Sequence, residues 1–309
     1  MSENTPVVSV VVPIFNEEPN IRPLIERLTA ALESSGRSYE ILAVDDGSSD
    51  RSVEILREFR ARDSRLRIIR LSRNFGQSPA LFAGFANVRG QIVATIDADL
   101  QNPPEELPKL IAKIEEGYDF VIGWRQRRQD SVLRKLPSLL LNALVRRLTK
   151  AGFRDIGCSL KVFRREVTDR LAQFNHRSRY LPAEVAWLGV RTCEVEVAHS
   201  ERAAGTSKYG VLRLFRTAFD LVTSITSAPL QFIGLVGWLF AIGGFALGAR
   251  VVYIRIVDGD INQMGSVIAV LLFLQGVHLI SMGLICEYIS RIYIEVQNRP
   301  YYIIKDIIE

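Results

Sequence analysis

Cysteine is scarce in this chain of 309 residues, which contains only three, Cys158, Cys193 and Cys286. They show neither a paired spacing nor a zinc-binding pattern, which argues against a disulfide-stabilised secreted domain and favours a reducing compartment. Residues 1–6 lack the basic region of a signal peptide, and the apolar run at 7–12 is too short to be its hydrophobic segment. We therefore expect the part of the chain before any membrane span to remain in the cytoplasm.

A glycine-rich phosphate loop is also absent. The 21 glycines form neither the G-x-x-x-x-G-K-[ST] pattern nor G-x-G-x-x-G. If the chain binds a nucleotide, a metal ion and side chains such as Arg125 must therefore hold the phosphates. Internal repeats and low-complexity tracts are missing as well.

Two long stretches, 221–249 and 261–286, contain no Asp, Glu, Lys or Arg. Each exceeds the roughly 20 apolar residues needed to cross a bilayer, so two C-terminal transmembrane helices are predicted. The flanks outside the pair are richer in cations than the loop between them, which places both termini in the cytoplasm. A G-x-x-x-G at Gly244 and Gly248 would allow helices to pack within or between subunits, and we expect a homo-oligomer.

The net charge of +5 does not by itself indicate nucleic acid as a partner, because the basic residues concentrate beside the predicted spans. There they more often meet anionic lipid headgroups, so membrane contact is expected and nucleic-acid binding is not. In the basic segment 131–150, leucine recurs every four residues from 136 to 148. This pattern suits either a helix at the membrane interface or an ordinary surface helix packed on the core. The segment 207–222 has the same character and is predicted to be a juxtamembrane amphipathic helix.

The first part of the chain alternates between strand and helix patterns. Strands are predicted at 7–12, 39–44, 67–71, 91–96 and 118–122, and helices at 21–32, 52–60, 79–88 and 104–115. Strands separated by helices indicate an α/β fold, and strands that are apolar throughout indicate a sheet covered on both faces. We predict a doubly wound, mostly parallel sheet.

Polar and acidic residues follow three of the predicted strands, in the loops at 13–17, 45–50 and 97–101. The carboxyl ends of parallel strands meet along one edge of the sheet, where open α/β folds bind their ligands. These loops are therefore expected to form one pocket for a cation and a nucleotide. Each cluster could instead cap a helix separately; for example, Asp46 or Ser49 could cap the helix that follows.

Asp97 and Asp99 come directly after the fourth predicted strand. Alternate residues of a strand share a face, so the two carboxylates would point the same way if the strand is still extended. Two such carboxylates raise each other's pKa unless a cation lies between them. Mg²⁺ and Mn²⁺ take oxygen ligands, and sites for such cations often keep positions open for phosphate oxygens. A metal site is predicted here, with a solvated acidic turn as the alternative.

Three motifs resemble inverting family-2 glycosyltransferases of the GT-A fold: P-I-F-N-E at 13–17, D-D-G-S-S-D at 45–50 and D-A-D-L-Q-N-P-P-E at 97–105. G-W-R at 123–125, D-I-G-C-S at 155–159 and the segment 202–209 resemble one branch of that family. That branch is the polyisoprenyl-phosphate glycosyltransferases, which include dolichyl-phosphate mannose synthase and the bacterial GtrB-type enzymes.

The resemblance implies a role for each matching residue. The nucleotide sugar would be bound by Pro13, Phe15, Glu17, Asp46, Asp97 and Arg125. The metal ion, Mg²⁺ or Mn²⁺, would be held by Asp99, Gln101 and Asp97. The acceptor phosphate would contact Arg134, Ser138, Arg202 and Lys208, although a solvated basic turn is the alternative for the last two. The catalytic residues would be Asp97, Arg125 and Asp155, with a buried structural aspartate as the alternative for Asp155.

The implied enzyme moves a hexose, with inversion, from a nucleotide sugar to undecaprenyl phosphate at the bacterial inner membrane. UDP-glucose is the first choice of donor and GDP-mannose the second. The implied organisation is a cytoplasmic catalytic domain at 1–206, the juxtamembrane helix, a two-helix transmembrane domain at 223–290 and a cytoplasmic tail at 291–309.

Two other functions stay open. A processive polysaccharide synthase of the same fold would carry a Gln-x-x-Arg-Trp motif and more spans, and none of Trp124, Trp187 and Trp238 follows an arginine. A membrane-tethered protein that binds a nucleotide or metal without turnover would leave Gln101 and the basic acceptor segment unexplained.

Overall fold

The structure, a computed structural model, describes residues 6–125, 155, 157–173, 181–198, 228–257, 264–297 and 299–309. The chain divides into two compact units, the first comprising Met1–Leu214 with Pro300–Glu309 and the second Phe215–Arg299. The two amphipathic segments predicted from the sequence, 131–150 and 207–222, lie outside the described residues.

The first unit is an α/β domain. Its strands are β1 (Val8–Ile14), β2 (Tyr39–Asp45), β3 (Leu66–Leu71), β4 (Ile92–Thr95), β5 (Phe120–Arg125), β6 (Lys161–Arg164), β7 (Thr192–Val197) and β8 (Ile304–Ile308). Its helices are α1 (Glu18–Ser34), α2 (Ser52–Arg62), α3 (Gln77–Phe85), α4 (Leu107–Glu115), α5 (Arg165–Gln173) and α6 (Leu181–Leu188), with a short 3₁₀ turn at Pro104–Glu106. The nine elements predicted for the first part of the chain are therefore confirmed to within a few residues.

Within the described part of the chain, the strands form one sheet in the order β7-β5-β6-β4-β1-β2-β3-β8. The central strands β4, β1, β2 and β3 are parallel, and β5 is parallel to β7. β6 runs antiparallel to β4 and β5, and β8 runs antiparallel to β3. The predicted α/β class is confirmed, and the sheet is mixed.

Burial explains why these segments form the centre of the domain. Every residue of β2 is buried, and all but one of β1 are buried, as expected for a sheet covered by helices on both faces. The covering helices are amphipathic; in α4 the buried residues Leu107, Leu110, Ile111 and Ile114 follow helical spacing and form one apolar face.

The register of the central strands determines where their loops meet. Ile14 of β1 pairs with Asp45 of β2, and Val11 pairs with Thr95 of β4. β1 and β2 therefore end level with each other and β4 ends beside Val11, and because the three strands are parallel their loops lie along one edge of the sheet.

A strand from the C-terminal segment completes the sheet beside β3. Residues 304–308, part of the predicted tail, form β8, and the Asp306 carboxylate accepts a hydrogen bond of 3.2 Å from Arg70. The buried guanidinium of Arg67 donates to Glu309 at 2.5 and 3.1 Å and to Glu40 at 3.0 Å. Strand pairing and these ion pairs hold the C-terminal segment against the rest of the first unit.

The second unit consists of two long helices, α7 (Ala228–Val257) and α8 (Met264–Val296). Among the described residues, the stretch Phe273–Val296 is long and apolar enough to cross a membrane. The prediction of two transmembrane helices is therefore supported for one of them. Both helices expose large apolar side chains, including Trp238 and Phe245 on α7 and Leu279 on α8.

Candidate active site

An open cleft of about 440 Å³ lies at the carboxyl edge of the central strands. Its lining residues are Pro13, Ile14, Phe15, Glu17, Asp46, Asn74, Gly76, Gln77, Asp97, Ala98 and Asp99. Six residues predicted to bind the nucleotide sugar or metal therefore come together here: Pro13, Phe15, Glu17, Asp46, Asp97 and Asp99. These residues are far apart in sequence, and they come together because parallel strands of the sheet end at the same edge.

The first loop is tied to the second through Asn16. Its side-chain oxygen accepts a 2.8 Å hydrogen bond from the Ser49 N–H, and its own N–H donates to the Ser48 hydroxyl at 3.0 Å. Asn16 has a φ of 54°, in the left-handed region that asparagine tolerates better than most residues. Beside it, the Phe15 ring is 45% exposed and lines the cleft.

Asp46 in the second loop holds a further loop that follows β3. Its two carboxylate oxygens accept 2.7 Å hydrogen bonds from the N–H groups of Phe75 and Gly76. Burial raises the pKa of Asp46, although these two hydrogen bonds oppose the rise. Asp46 therefore does not cap α2, where the Ser52 N–H instead donates to Asp50 at 3.0 Å.

The glycine of the D-D-G motif is required by the same contact between loops. Gly47 has a φ of 75°, and a Cβ at this position would lie 2.6 Å from the carbonyl carbon of Arg73. Glycine alone combines this backbone conformation with so close an approach.

Asp97 and Asp99 lie in a turn, because β4 ends at Thr95. The strand is therefore not extended through both aspartates, which was the condition for their side chains to share a face; Leu100, directly after them, is in the left-handed region at a φ of 58°. Both carboxylates still line the cleft. Asp97 is half-buried and accepts a 2.6 Å hydrogen bond from the Gln77 side-chain amide, and Asp99 accepts one of 3.2 Å from the Gln101 N–H.

Ionisation of the Asp97 carboxylate is unfavourable at this half-buried position beside Asp99. Burial raises its pKa to about 6; the neighbouring Asp99 charge also raises it, while Lys161 and hydrogen bonds from Gln77 and Ser159 lower it. Two such carboxylates suit a hard divalent cation. No cluster of three or more His, Cys, Asp or Glu that could hold a metal occurs in the described ranges. The residues present therefore fit a cation that takes its other ligands from phosphate and water.

Gln101 was predicted to be a metal ligand. Its backbone N–H supports Asp99, while among the described residues its side chain is not one of those that line the cleft.

Arg125 and Asp155 form a buried ion pair at the end of β5. The guanidinium donates to the two carboxylate oxygens at 2.7 and 3.1 Å, and the Arg125 N–H lies 3.3 Å from the same carboxylate. Their side chains are only 11% and 5% exposed. Neither is among the described residues that line the cleft, but Lys161 lies within reach of the charges of this pair and of Asp97.

Lys161 at the start of β6 was missed by the sequence reasoning. It pairs with Thr95 at the end of β4 and with Ile122 of β5, and its ammonium donates to the Cys158 carbonyl oxygen. Burial lowers the pKa of Lys161, and the charges of Asp97 and Asp155 raise it. A lysine at the start of the strand that follows the D-I-G-C-S motif was the signal that could have revealed it.

Asn74, Gly76 and Gln77 in the loop after β3 were also missed. The strand-end rule that selected the other loops applies equally to this one, since β3 is parallel to β2. The predicted acceptor residues Arg134, Ser138, Arg202 and Lys208 lie outside the described part of the chain.

Two parts of the chain match known protein families. The family model described as glycosyl transferase family 2 matches residues 9–172, more than half of the chain, and the chain belongs to this family. The model of the GtrB C-terminal hairpin matches residues 228–292. The combination of these two domains is the signature of GtrB-type polyisoprenyl-phosphate glycosyltransferases, which confirms the resemblance seen in the motifs.

Solved structures share the fold at low sequence identity. Mannosyl-3-phosphoglycerate synthase from Rubrobacter xylanophilus has a TM-score of 0.54 and 19% identity, over 74% of this chain and 75% of that one. Glucosyl-3-phosphoglycerate synthase from Mycobacterium tuberculosis, in complex with Mn²⁺, UDP and glucosyl-3-phosphoglycerate, has a TM-score of 0.50 and 20% identity, over 70% and 77%. The first unit therefore has the GT-A glycosyltransferase fold.

Proposed function

We propose that this glycosyltransferase moves a hexose, with inversion and with the aid of a divalent metal ion, to a polyisoprenyl phosphate. UDP-glucose is the first candidate donor and GDP-mannose the second. The observation that carries the proposal is the convergence of Phe15, Glu17, Asp97 and Asp99 on one cleft. The GtrB C-terminal hairpin in the same chain favours a lipid phosphate as acceptor over a growing polysaccharide.

The first loop supplies the nucleoside half of the cleft. The exposed ring of Phe15 offers a flat apolar face for a nucleobase, with Pro13 beside it. The Glu17 carboxylate accepts a 2.6 Å hydrogen bond from Asn20, which orients it. Its remaining acceptor capacity suits a ribose hydroxyl.

Asp97 and Asp99 supply the diphosphate half, and they would hold Mg²⁺ or Mn²⁺. When bound, the cation stabilises the negative charge of the departing nucleoside diphosphate as a Lewis acid. The M. tuberculosis enzyme, which shares this fold, has been crystallised with Mn²⁺ and UDP-glucose together. Gln101 stays a prediction as a third ligand.

The acceptor needs orientation more than deprotonation. A phosphate monoester has a second pKa of about 6, so it is largely ionised at neutral pH and needs no strong general base. One acceptor oxygen forms a bond to the anomeric carbon while the bond from that carbon to the diphosphate breaks, which inverts the centre. We assign Arg125 to the phosphate charges and Asp155 to the orientation of Arg125, as their 2.7 Å contact suggests. Arg134, Ser138, Arg202 and Lys208 stay predictions for the acceptor site.

Chain topology supports a membrane hairpin. Pro300–Glu309 belongs to the same unit as Met1–Leu214, and β8 pairs with β3 of the catalytic sheet. A chain that leaves the catalytic unit and returns to it crosses a membrane an even number of times. We propose two crossings by α7 and α8, with the catalytic unit at the cytoplasmic face of the inner membrane, and a homo-oligomer in which α7 contributes packing surface.

A donor screen tests the proposal. Purified protein is incubated with undecaprenyl phosphate, Mg²⁺ or Mn²⁺ and one radiolabelled nucleotide sugar at a time, and label is measured in the organic phase. We expect metal-dependent labelling of the lipid by one donor. If no UDP- or GDP-hexose gives labelled lipid, while the protein is folded, the proposal is wrong.

A further inference from the structure

The loop between β3 and α3 has no role in the proposed function so far, yet it forms one wall of the cleft. Asn74, Gly76 and Gln77 line the same space as Asp97 and Asp99. Gln77 is the first residue of α3.

Gln77 makes a directed contact with the metal-site carboxylate. Its side-chain N–H donates to Oδ1 of Asp97 at 2.6 Å. A neutral amide fixes one carboxylate oxygen without cancelling the charge of the group, so the other oxygen keeps its capacity for a ligand. Because Gln77 is exposed, this hydrogen bond contributes little to the stability of the fold.

The second acidic loop sets the position of Gln77. Asp46 accepts hydrogen bonds of 2.7 Å from the N–H groups of Phe75 and Gly76, the two residues immediately before it. Gly76 has a φ of 106°, a conformation that only glycine adopts without strain. Asp46 therefore determines where α3 begins and where the Gln77 side chain starts.

We propose, on the basis of the function proposed above, that Gln77 is a positioning residue for sugar transfer. Gln77 holds the Asp97 carboxylate in the orientation that receives the metal and the donor, and Asp46 acts through the loop to hold Gln77. Without this hydrogen bond, Oδ1 of Asp97 loses its donor, and the Ser159 hydrogen bond and the Lys161 charge are left to hold the carboxylate against repulsion from Asp99. Loss of such a supporting contact typically costs about 10- to 100-fold in metal affinity or activity.

The test compares three single variants of the full-length protein. Gln77→Met keeps the side-chain length and loses the donor, Gln77→His keeps a neutral N–H donor when assayed above the pKa of histidine, and Gln91→Met is a matched control at an exposed glutamine before β4. Measured quantities are kcat and KM for transfer to lipid, Mn²⁺ affinity by electron paramagnetic resonance, and the midpoint of thermal unfolding.

We expect Gln77→Met to lower kcat and Mn²⁺ affinity by about 10-fold or more, with an unchanged unfolding midpoint. Gln77→His recovers part of the lost activity, and Gln91→Met behaves as the wild type. Wild-type kcat and Mn²⁺ affinity in Gln77→Met would overturn the inference, as would a loss explained by a lower unfolding midpoint. An inactive wild type refutes the proposed function instead, so the two failures are distinguishable.

The link to Asp46 has its own test. If Asp46 acts through Gln77, then Asp46→Asn combined with Gln77→Met lowers kcat no further than the more damaging single change. If the loss of kcat in the double variant equals the product of the two single losses, Asp46 acts independently of Gln77. That result would overturn the claim that Asp46 acts through Gln77.

Discussion

The buried pair of Arg125 and Asp155 allows stability and activity to be separated by mutation. The side chains of Arg125 and Asp155 are only 11% and 5% exposed. The two charges are therefore largely desolvated and are compensated by the hydrogen bonds between them. Removing one partner of such a pair costs about 3–5 kcal/mol, because the other charge remains buried. Asp155→Asn keeps one acceptor oxygen, so we expect about 3 kcal/mol, at the lower end of that range.

This loss is large enough to measure directly. For a domain of roughly 200 residues, 1 kcal/mol corresponds to about 2–4 °C in the unfolding midpoint, so Asp155→Asn should unfold on the order of 10 °C below the wild type. The assay is thermal unfolding of the detergent-solubilised protein. Asp169→Asn is the control, because Asp169 forms an exposed pair with Arg165 on α5 and should lose less than about 1 kcal/mol.

Replacing both charges separates the two roles. Arg125→Met with Asp155→Leu removes both charges of the pair, so the double variant should unfold at a higher temperature than Asp155→Asn, while transfer stays lost because the phosphates lack their cation. A wild-type unfolding midpoint in Asp155→Asn would refute the account of a buried pair. Full activity in the stable double variant would refute the role of Arg125 in transfer.

Two further predictions concern how the cleft and the sheet edge are built. Gly47→Ala should destabilise the fold by about 2 kcal/mol or more, because the positive φ and the contact with the Arg73 backbone both oppose a side chain; Gly36→Ala, at a φ of 67° with open space around it, is the control, and equal losses in denaturant unfolding would exclude a role for the contact. Glu309→Gln should cost about 1 kcal/mol, because Glu309 is half exposed although its partner Arg67 is buried. In the second case hydrogen exchange should accelerate in β8 and not in β7; unchanged exchange in β8 would contradict the importance of this ion pair.

Strands and loops of the first part of the chain were predictable because their signals are local. β1 and β2 are apolar apart from Ser9, Glu40 and the terminal Asp45, and the acidic loops follow them directly, so periodicity and strand order suffice. The approach of Phe15, Asp46 and Asp97 to one cleft followed from the rule for parallel strands.

Other features depended on contacts between distant segments. β8 has only five residues and pairs with a strand more than 200 positions earlier, so no local pattern distinguishes it from a tail. The hydrogen bond from Gln77 to Asp97 depends on how the loop after β3 is held by Asp46. Lys161 reaches the site through an antiparallel pairing with β4 that strand propensity does not specify.

The central claim is that the cleft containing Asp97 and Asp99 transfers sugar to a lipid phosphate with the aid of a divalent metal. The most direct measurement is the transfer of radiolabelled hexose to undecaprenyl phosphate by wild type, Asp99→Asn and the control Asp169→Asn, each with Mn²⁺ and with EDTA. We predict labelled lipid from the wild type and the control with Mn²⁺, and none from Asp99→Asn or after addition of EDTA. Undiminished labelling by folded Asp99→Asn, or by the wild type in EDTA, would contradict the account.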